Sequence, residues 1–234
     1  MIRKLLSYPM TEDAPGWPGN PKLRATPYSA IAAGDTANQF KVELFNHYGS
    51  HMDAPNHFVD RGLQMWQLPV SSFFYDRPLL LDIPKGEGEL VLAEEVLAYR
   101  SELQEADLLL IRSGFSVKRD SDPTAYSERG PGFSSRLCQV LMDEFPKLKA
   151  VGMDWISLSS VLHPDEGVQA HRFLLGEYHE HFKLIIEDLD LRELSADRLR
   201  RVVALPLLIR GVDSGPCTVV AELAVLDSGG GADE

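Results

Sequence analysis

Seven histidines in a chain of 234 residues fall into two windows and nowhere else. His47, His51 and His57 share eleven residues with Asp53, while His163, His171, His179 and His181 share nineteen. The first window reads His47-Tyr48-Gly49-Ser50-His51-Met52-Asp53-Ala54-Pro55-Asn56-His57. Its neutral nitrogens and anionic oxygen suit zinc, manganese or iron better than calcium or magnesium. His51 and Asp53 are two apart, so extended backbone puts both on one face. Gly49 permits a tight turn that swings His47 toward them, and Pro55 ends regular structure before His57. Two surface histidines at i and i+4 would account for His47 and His51. They would not account for an aspartate and a third histidine crowded beside them, so the segment reads as a metal site. Its spacing is neither the HxH of a cupin nor a helical HExxH.

The elements that must position these groups follow from periodicity. FKVELFNH alternates from Phe40 and predicts a half-buried strand leading straight into His47. PLLLDI (78–83), DLLLIRSG (107–114), KAVGMD (149–154), KLIIE (183–187), VVALPLLI (202–209) and TVVAELAVL (218–226) read as further strands. Several finish on reactive side chains: Arg112, Asp154 and Glu187. Helical spacing predicts helices over 92–100, over 133–145 with Ser134 or Ser135 as cap, over 167–177, and over 194–201 with Ser195 as cap. Ser116 to Gly132 reads as a polar loop. Strands alternating with helices give an α/β fold with a mixed sheet. Ligands gather outside the carboxyl ends of strands in open α/β sheets, which gives the two histidine windows a plausible meeting place.

Length favours a single domain. Residues 1–39, rich in proline and glycine, read as an extended arm of that domain, 40–227 as its body and 228–234 as a flexible tail. With 44% hydrophobic and 25% charged residues the chain has ordinary globular composition and needs no metal simply to fold. Cys138 and Cys217 stand far apart without CxxC spacing and read as small core residues. A net charge of -12 argues against nucleic acid and anionic membrane as partners. The opening MIRKLLSYPMTEDAP lacks the apolar stretch of a signal peptide. The longest apolar run, Val202 to Ile209, contains Pro206 and falls far short of the ~20 residues that span a bilayer. A soluble cytoplasmic protein is the expectation.

HYGSHMDAPNHF resembles HxGTHxDAPxH, the signature of the cyclase family of metal-dependent hydrolases, which includes bacterial kynurenine formamidase (arylformamidase) and isatin hydrolase. Ser50 stands where the signature has threonine. The resemblance runs along most of the chain. PGWPGNP is similar to the family's wPGDP, LLLIRSGF to LLIRTGW, VGMDWISL to GIDxxSl, HRFLLG to HRxLL, and LPLLIRGVDSGP to LPLkixGaDGsP. It implies a barrel-like mixed sheet flanked by helices.

By that resemblance His47, His51 and Asp53 bind metal, and His171 with Glu187 completes a site for one or two divalent ions, zinc foremost and manganese next. His57 is the implied general acid/base for hydrolysis of an amide or lactone, with N-formylkynurenine the first substrate to consider. Isatin, a dienelactone, a polyketide cyclisation substrate, or a homologue that binds ligand without turnover are the alternatives. The resemblance also implies a homodimer or homotetramer in which the amino-terminal arm completes a neighbour's pocket. Before Glu187 the stretch EYHEHFK is about four residues longer than the family pattern. Glu177 and Glu180 therefore compete with Glu187, while His179 and His181 read as solvated loop residues. The family's second aspartate is Ser159 here. Trp17, Phe58, Trp66 and Trp155 are candidates to hold an aromatic substrate, each with core packing as the competing role. Arg112 reads as a structural ion pair rather than a partner for a substrate carboxylate.

Overall fold

Apolar runs separated by turn-forming residues lay down thirteen strands in the computed structural model, which describes residues 1–225. The first are β1 (Ile2–Leu5), β2 (Arg24–Ser29), β3 (Gln39–Glu43), β4 (His51–Asp53), β5 (Phe74–Tyr75), β6 (Pro78–Asp82) and β7 (Leu90–Val91). They are followed by β8 (Leu108–Arg112), β9 (Gly132–Phe133), β10 (Ala150–Met153), β11 (Leu184–Glu187), β12 (Leu199–Pro206) and β13 (Ser214–Leu223). The helices are α1 (Ala93–Leu97), α2 (Arg100–Leu103), α3 (Lys118–Ser121), α4 (Pro123–Glu128), α5 (Ser135–Glu144) and α6 (Pro164–Leu174).

Nine strands form one mixed sheet in the order β5-β12-β13-β4-β11-β10-β8-β6, with β1 paired to β13. β6, β8, β10 and β11 run parallel, whereas β4 is antiparallel to both of its neighbours. The parallel strands are buried on both faces, which is why they read as unbroken apolar runs. On one face Leu109, Ile111, Val151, Met153 and Ile185 pack with residues of α5 and α6. On the other, Leu108, Leu110, Leu184 and Ile186 meet Val202, Ala204, Val219 and Ala221, so the sheet curls onto itself as a nearly closed barrel. The single domain is thus a barrel-like mixed sheet flanked by helices.

Several expectations change. The predicted helix over 194–201 is a turn that enters β12 at Leu199. Ser195 bonds Asp197 at 2.5 Å instead of capping a helix, and pairing along β13 overrides the local pattern. The Ser116–Gly132 loop contains α3 and α4; Asp122 accepts from Ala125 N at 3.0 Å, Pro123 opens the helix, and Tyr126 buries its ring. The strand entering the first histidine window is exposed throughout rather than half-buried, because β3 pairs only with β2 in a hairpin standing off the main sheet. It ends at Glu43, leaving His47 in the following turn. The amino-terminal arm contributes β1 to the main sheet, and the 228–234 tail lies outside the described residues. Cys138 and Cys217 are both buried and free.

Candidate metal centre

β4 is only three residues long, and its position between β11 and β13 places the site. Alternation along it turns Met52 into the core and brings His51 and Asp53 to the opposite face. Register sets Glu187 of β11 directly across from His51, with His51 Nε2 to Glu187 Oε2 at 3.3 Å. Gly49 takes a left-handed φ of 66°, and Tyr48 beneath it is anchored by its hydroxyl to the carbonyls of Thr11 and Ala14 at 2.7 and 3.0 Å. The turn delivers His47, whose Nδ1 stands 3.1 Å from Asp53 Oδ1. Pro55 starts a single 3-10 turn that carries His57 back, so that the His47 and His57 rings lie 4.1 Å apart. His171 arrives from α6, with Nε2 at 3.9 Å from Asp53 and 3.7 Å from Glu187.

Hydrogen bonds fix the imidazole tautomers. His51 Nδ1 donates to the Gly49 carbonyl and His171 Nδ1 to the Gly167 carbonyl, both at 2.8 Å. Each ring therefore presents an Nε2 lone pair to the carboxylates. His51 Nε2 and both Asp53 oxygens are buried and lack hydrogen-bond partners. Orphaned polar atoms of this kind are costly in a protein interior, and here they lie with Glu187 in one group within ligand distance. His47, Asp53 and His57 form a second group within ligand distance, sharing Asp53 with the first. The donor set fits a divalent ion. Glu187 is aimed by its other oxygen, which accepts from Ser157 Oγ at 3.0 Å and from Leu158 N at 2.6 Å.

Electrostatics agree with the geometry. Burial disfavours a charged His47, but the nearby carboxylates of Asp213 and Asp53 outweigh it and push its pKa up to about 10. His51 and His171 are also raised, against burial, chiefly by Glu187. Burial would lift Glu187, yet His171 and His51 hold it well below the usual range. Asp53 is lowered despite burial, first by the charge of His57. The upward shifts report the negative charge of the surrounding carboxylates, the charge that a bound cation would balance.

Asp213 was not singled out by sequence. Its Oδ2 accepts from His47 Nε2 and from His57 Nδ1, each at 2.8 Å, and Oδ1 accepts from Asn46 at 2.7 Å. Burial works against its charge, but the two histidines hold its pKa far below the ordinary carboxylate value. Ser214 adds a hydroxyl 3.0 Å from His47 Nε2. The signal available was the GVDSGP stretch, whose aspartate no local pattern connects to His57.

A cavity of about 340 Å³ opens over these groups. Trp17 and Phe58 line it, with Phe45, Ile156 and Val168, and Phe58 stacks on His171 at 4.5 Å. Trp155 does not: its ring is wholly buried in the core beside Phe133, because it follows β10 on the side facing the helices. Trp66 sits outside the cavity under Arg210. Arg112 is committed to Asp82 and to the carbonyls of Leu191 and Leu194. Asp154 closes the turn after β8 by accepting from Ser113, Gly114 and Ser116. His179 and His181 lie against α5, bonded to Asp143 and the Met142 carbonyl, while Glu177 and Glu180 face solvent. Ser159 lines the cavity 3.3 Å from His171 Nδ1.

A family model described as putative cyclase matches residues 5–160. Cyclase-like protein 2 of Arabidopsis thaliana is 24% identical over 217 residues, covering 90% of this chain and 75% of that protein. Isatin hydrolase A from Labrenzia aggregata, bound to benzyl benzoate, superposes with a TM-score of 0.81 at 20% identity, over 96% of this chain and 94% of the other. A structure described as a potential metal-dependent hydrolase with cyclase activity gives 0.73 at 20% identity, over 96% and 98%.

Proposed function

The chain belongs to the cyclase family, and on that premise we propose that it is a metal-dependent hydrolase opening an amide or lactone bond of a small aromatic substrate. The observation that carries this reading is the set of orphaned buried donors, His51 Nε2 and both Asp53 oxygens, beneath an apolar cavity. His47, His51, Asp53, His171 and Glu187 would hold one or two divalent ions, with zinc foremost and manganese next on their nitrogen and carboxylate donors. Such an ion lowers the pKa of water toward ~7 and polarises a carbonyl oxygen.

The remaining work falls to this chain's own groups. Asp213 fixes the Nδ1 proton of His57, leaving Nε2 to exchange a proton with the leaving nitrogen or oxygen. Phe58, Trp17, Ile156 and Val168 present apolar walls that exclude water and orient a flat ring.

A second reading concerns the substrate. Among the described residues lining the cavity none is lysine or arginine, so a substrate carboxylate finds no bidentate partner. This favours an uncharged ring such as isatin over N-formylkynurenine, the arylformamidase substrate. The proposal extends to a cytoplasmic homodimer or homotetramer acting on a small molecule.

The test is a panel of isatin, a formylanilide and an aromatic lactone, assayed with metal-replete protein and after chelation. His57→Ala is expected to retain metal and to lose ~10²–10⁴-fold in turnover. Protein that holds no metal and shows no metal-dependent hydrolysis would overturn the proposal.

A further inference from the structure

Asp188 follows Glu187 at the end of β11 and is the one non-glycine among the described residues with a positive φ, 56°. Left-handed backbone is sparsely used by residues with side chains, although aspartate reaches it more readily than most. Here the surroundings over-determine it. The buried carboxylate accepts from Arg119 Nε and Nη2, each at 3.1 Å, and from the Tyr126 hydroxyl at 2.6 Å. The Asp188 N–H donates to the Trp155 carbonyl at 2.9 Å, and its own carbonyl accepts from the Ser50 hydroxyl at 2.5 Å. Ser50 Oγ in turn accepts from Tyr8 N at 2.9 Å, and the Tyr8 ring lies 3.9 Å from the Arg119 guanidinium.

Chain position gives this network its meaning. Ser50 precedes His51 and Asp188 follows Glu187, so the Ser50–Asp188 bond crosses β4 and β11 one register step beyond the His51–Glu187 pair. A buried ion pair is a poor device for stability, since apolar groups of similar volume commonly pack as well. It is a good device for fixing geometry when its neighbours are ligands.

We propose that Asp188 is a positioning residue for the metal centre, clamped by Arg119, Tyr126 and Ser50 so that the ends of β4 and β11 hold His51 and Glu187 at ligand separation. The inference rests on the metal-centre reading. Zinc and manganese dissociation constants of the full chain, measured by competition with a chromophoric chelator, test it. Asp188→Asn is expected to raise Kd ~10–100-fold. Asp188→Gly relieves the backbone but removes the clamp, and it is expected to weaken metal binding as much. Tyr126→Phe, which strands no buried charge, is expected to raise Kd several-fold with Tm well above the assay temperature. Unchanged Kd in these variants overturns the proposal, whatever happens to Tm. If the Asp188 variants do not fold, Tyr126→Phe decides in the same way. A wild-type chain that binds neither ion defeats the metal-centre reading, a different result from a wild type that binds no more tightly than its variants.

Discussion

Asp213 gives one carboxylate oxygen to two imidazoles, and the consequence for His57 is specific. A neutral amide at this place keeps the shape but leaves an acceptor without charge, so an imidazolium formed during proton transfer loses its stabilising partner. Asp213→Asn is expected to retain metal while kcat falls ~10²–10⁴-fold, read by metal content beside steady-state hydrolysis of the active panel member. Equal turnover in the variant would assign Asp213 to structure alone. At this scale sequence was informative where chemistry is local. Three histidines and an aspartate in eleven residues mark a candidate ligand set, and Glu187, marked by ending an apolar strand, is brought opposite His51. Asp213 is silent because its meaning depends on where β13 begins relative to a turn 156 residues earlier. Trp155 misleads for the converse reason: a large aromatic beside a strand end looks like a cavity wall until the face on which it falls is known.

Elements were legible when one period dominated. LLLI, AVGM and LIIE became β8, β10 and β11, and the apolar stripe behind Ser134 became α5. The segment 194–201 carries a helical stripe as well, yet the long antiparallel partner β13 rewards extended backbone more than one helical turn could. Lys183, at the entrance to β11, shows another cost hidden from sequence. Its side chain is fully buried, with Nζ donating to the carbonyls of Phe145 and Leu148 at 2.9 Å after α5. Burial pushes its pKa down to about 8, from an ordinary 10.5. The unfolded chain therefore keeps a proton that the folded chain gives up between these values, and stability contributed by this group rises as pH climbs through that window. Denaturant unfolding of wild type and Lys183→Met at pH ~7.5 and ~10 should shift the difference toward wild type by on the order of 2 kcal/mol. The opposite drift expected from His47 cancels, since both proteins carry it. A difference independent of pH would contradict the assignment.

At the scale of the whole molecule the β2–β3 hairpin stands apart. Tyr28, Ile31, Phe40 and Val42 are all exposed there, on a two-stranded element separate from the main sheet. If the proposed assembly uses it, Phe40→Asp with Val42→Asp converts dimer or tetramer to a folded monomer in light scattering, because neither side chain is buried in the subunit. A wild-type monomer would remove the basis for that proposal. The long-range pairings of β4 bear on how the molecule is made. His51 is paired to Glu187 and Asp53 to Ser214, so the neighbours of this three-residue strand come from the last quarter of the chain. During synthesis the first histidine window emerges early and waits, solvated, until β11 and β13 have left the ribosome. Pairings of such separation form slowly. On the proposed function, metal uptake would follow the pairing of β4 with β11 and β13, and a nascent chain stopped before β13 would carry the proposed ligands without the centre.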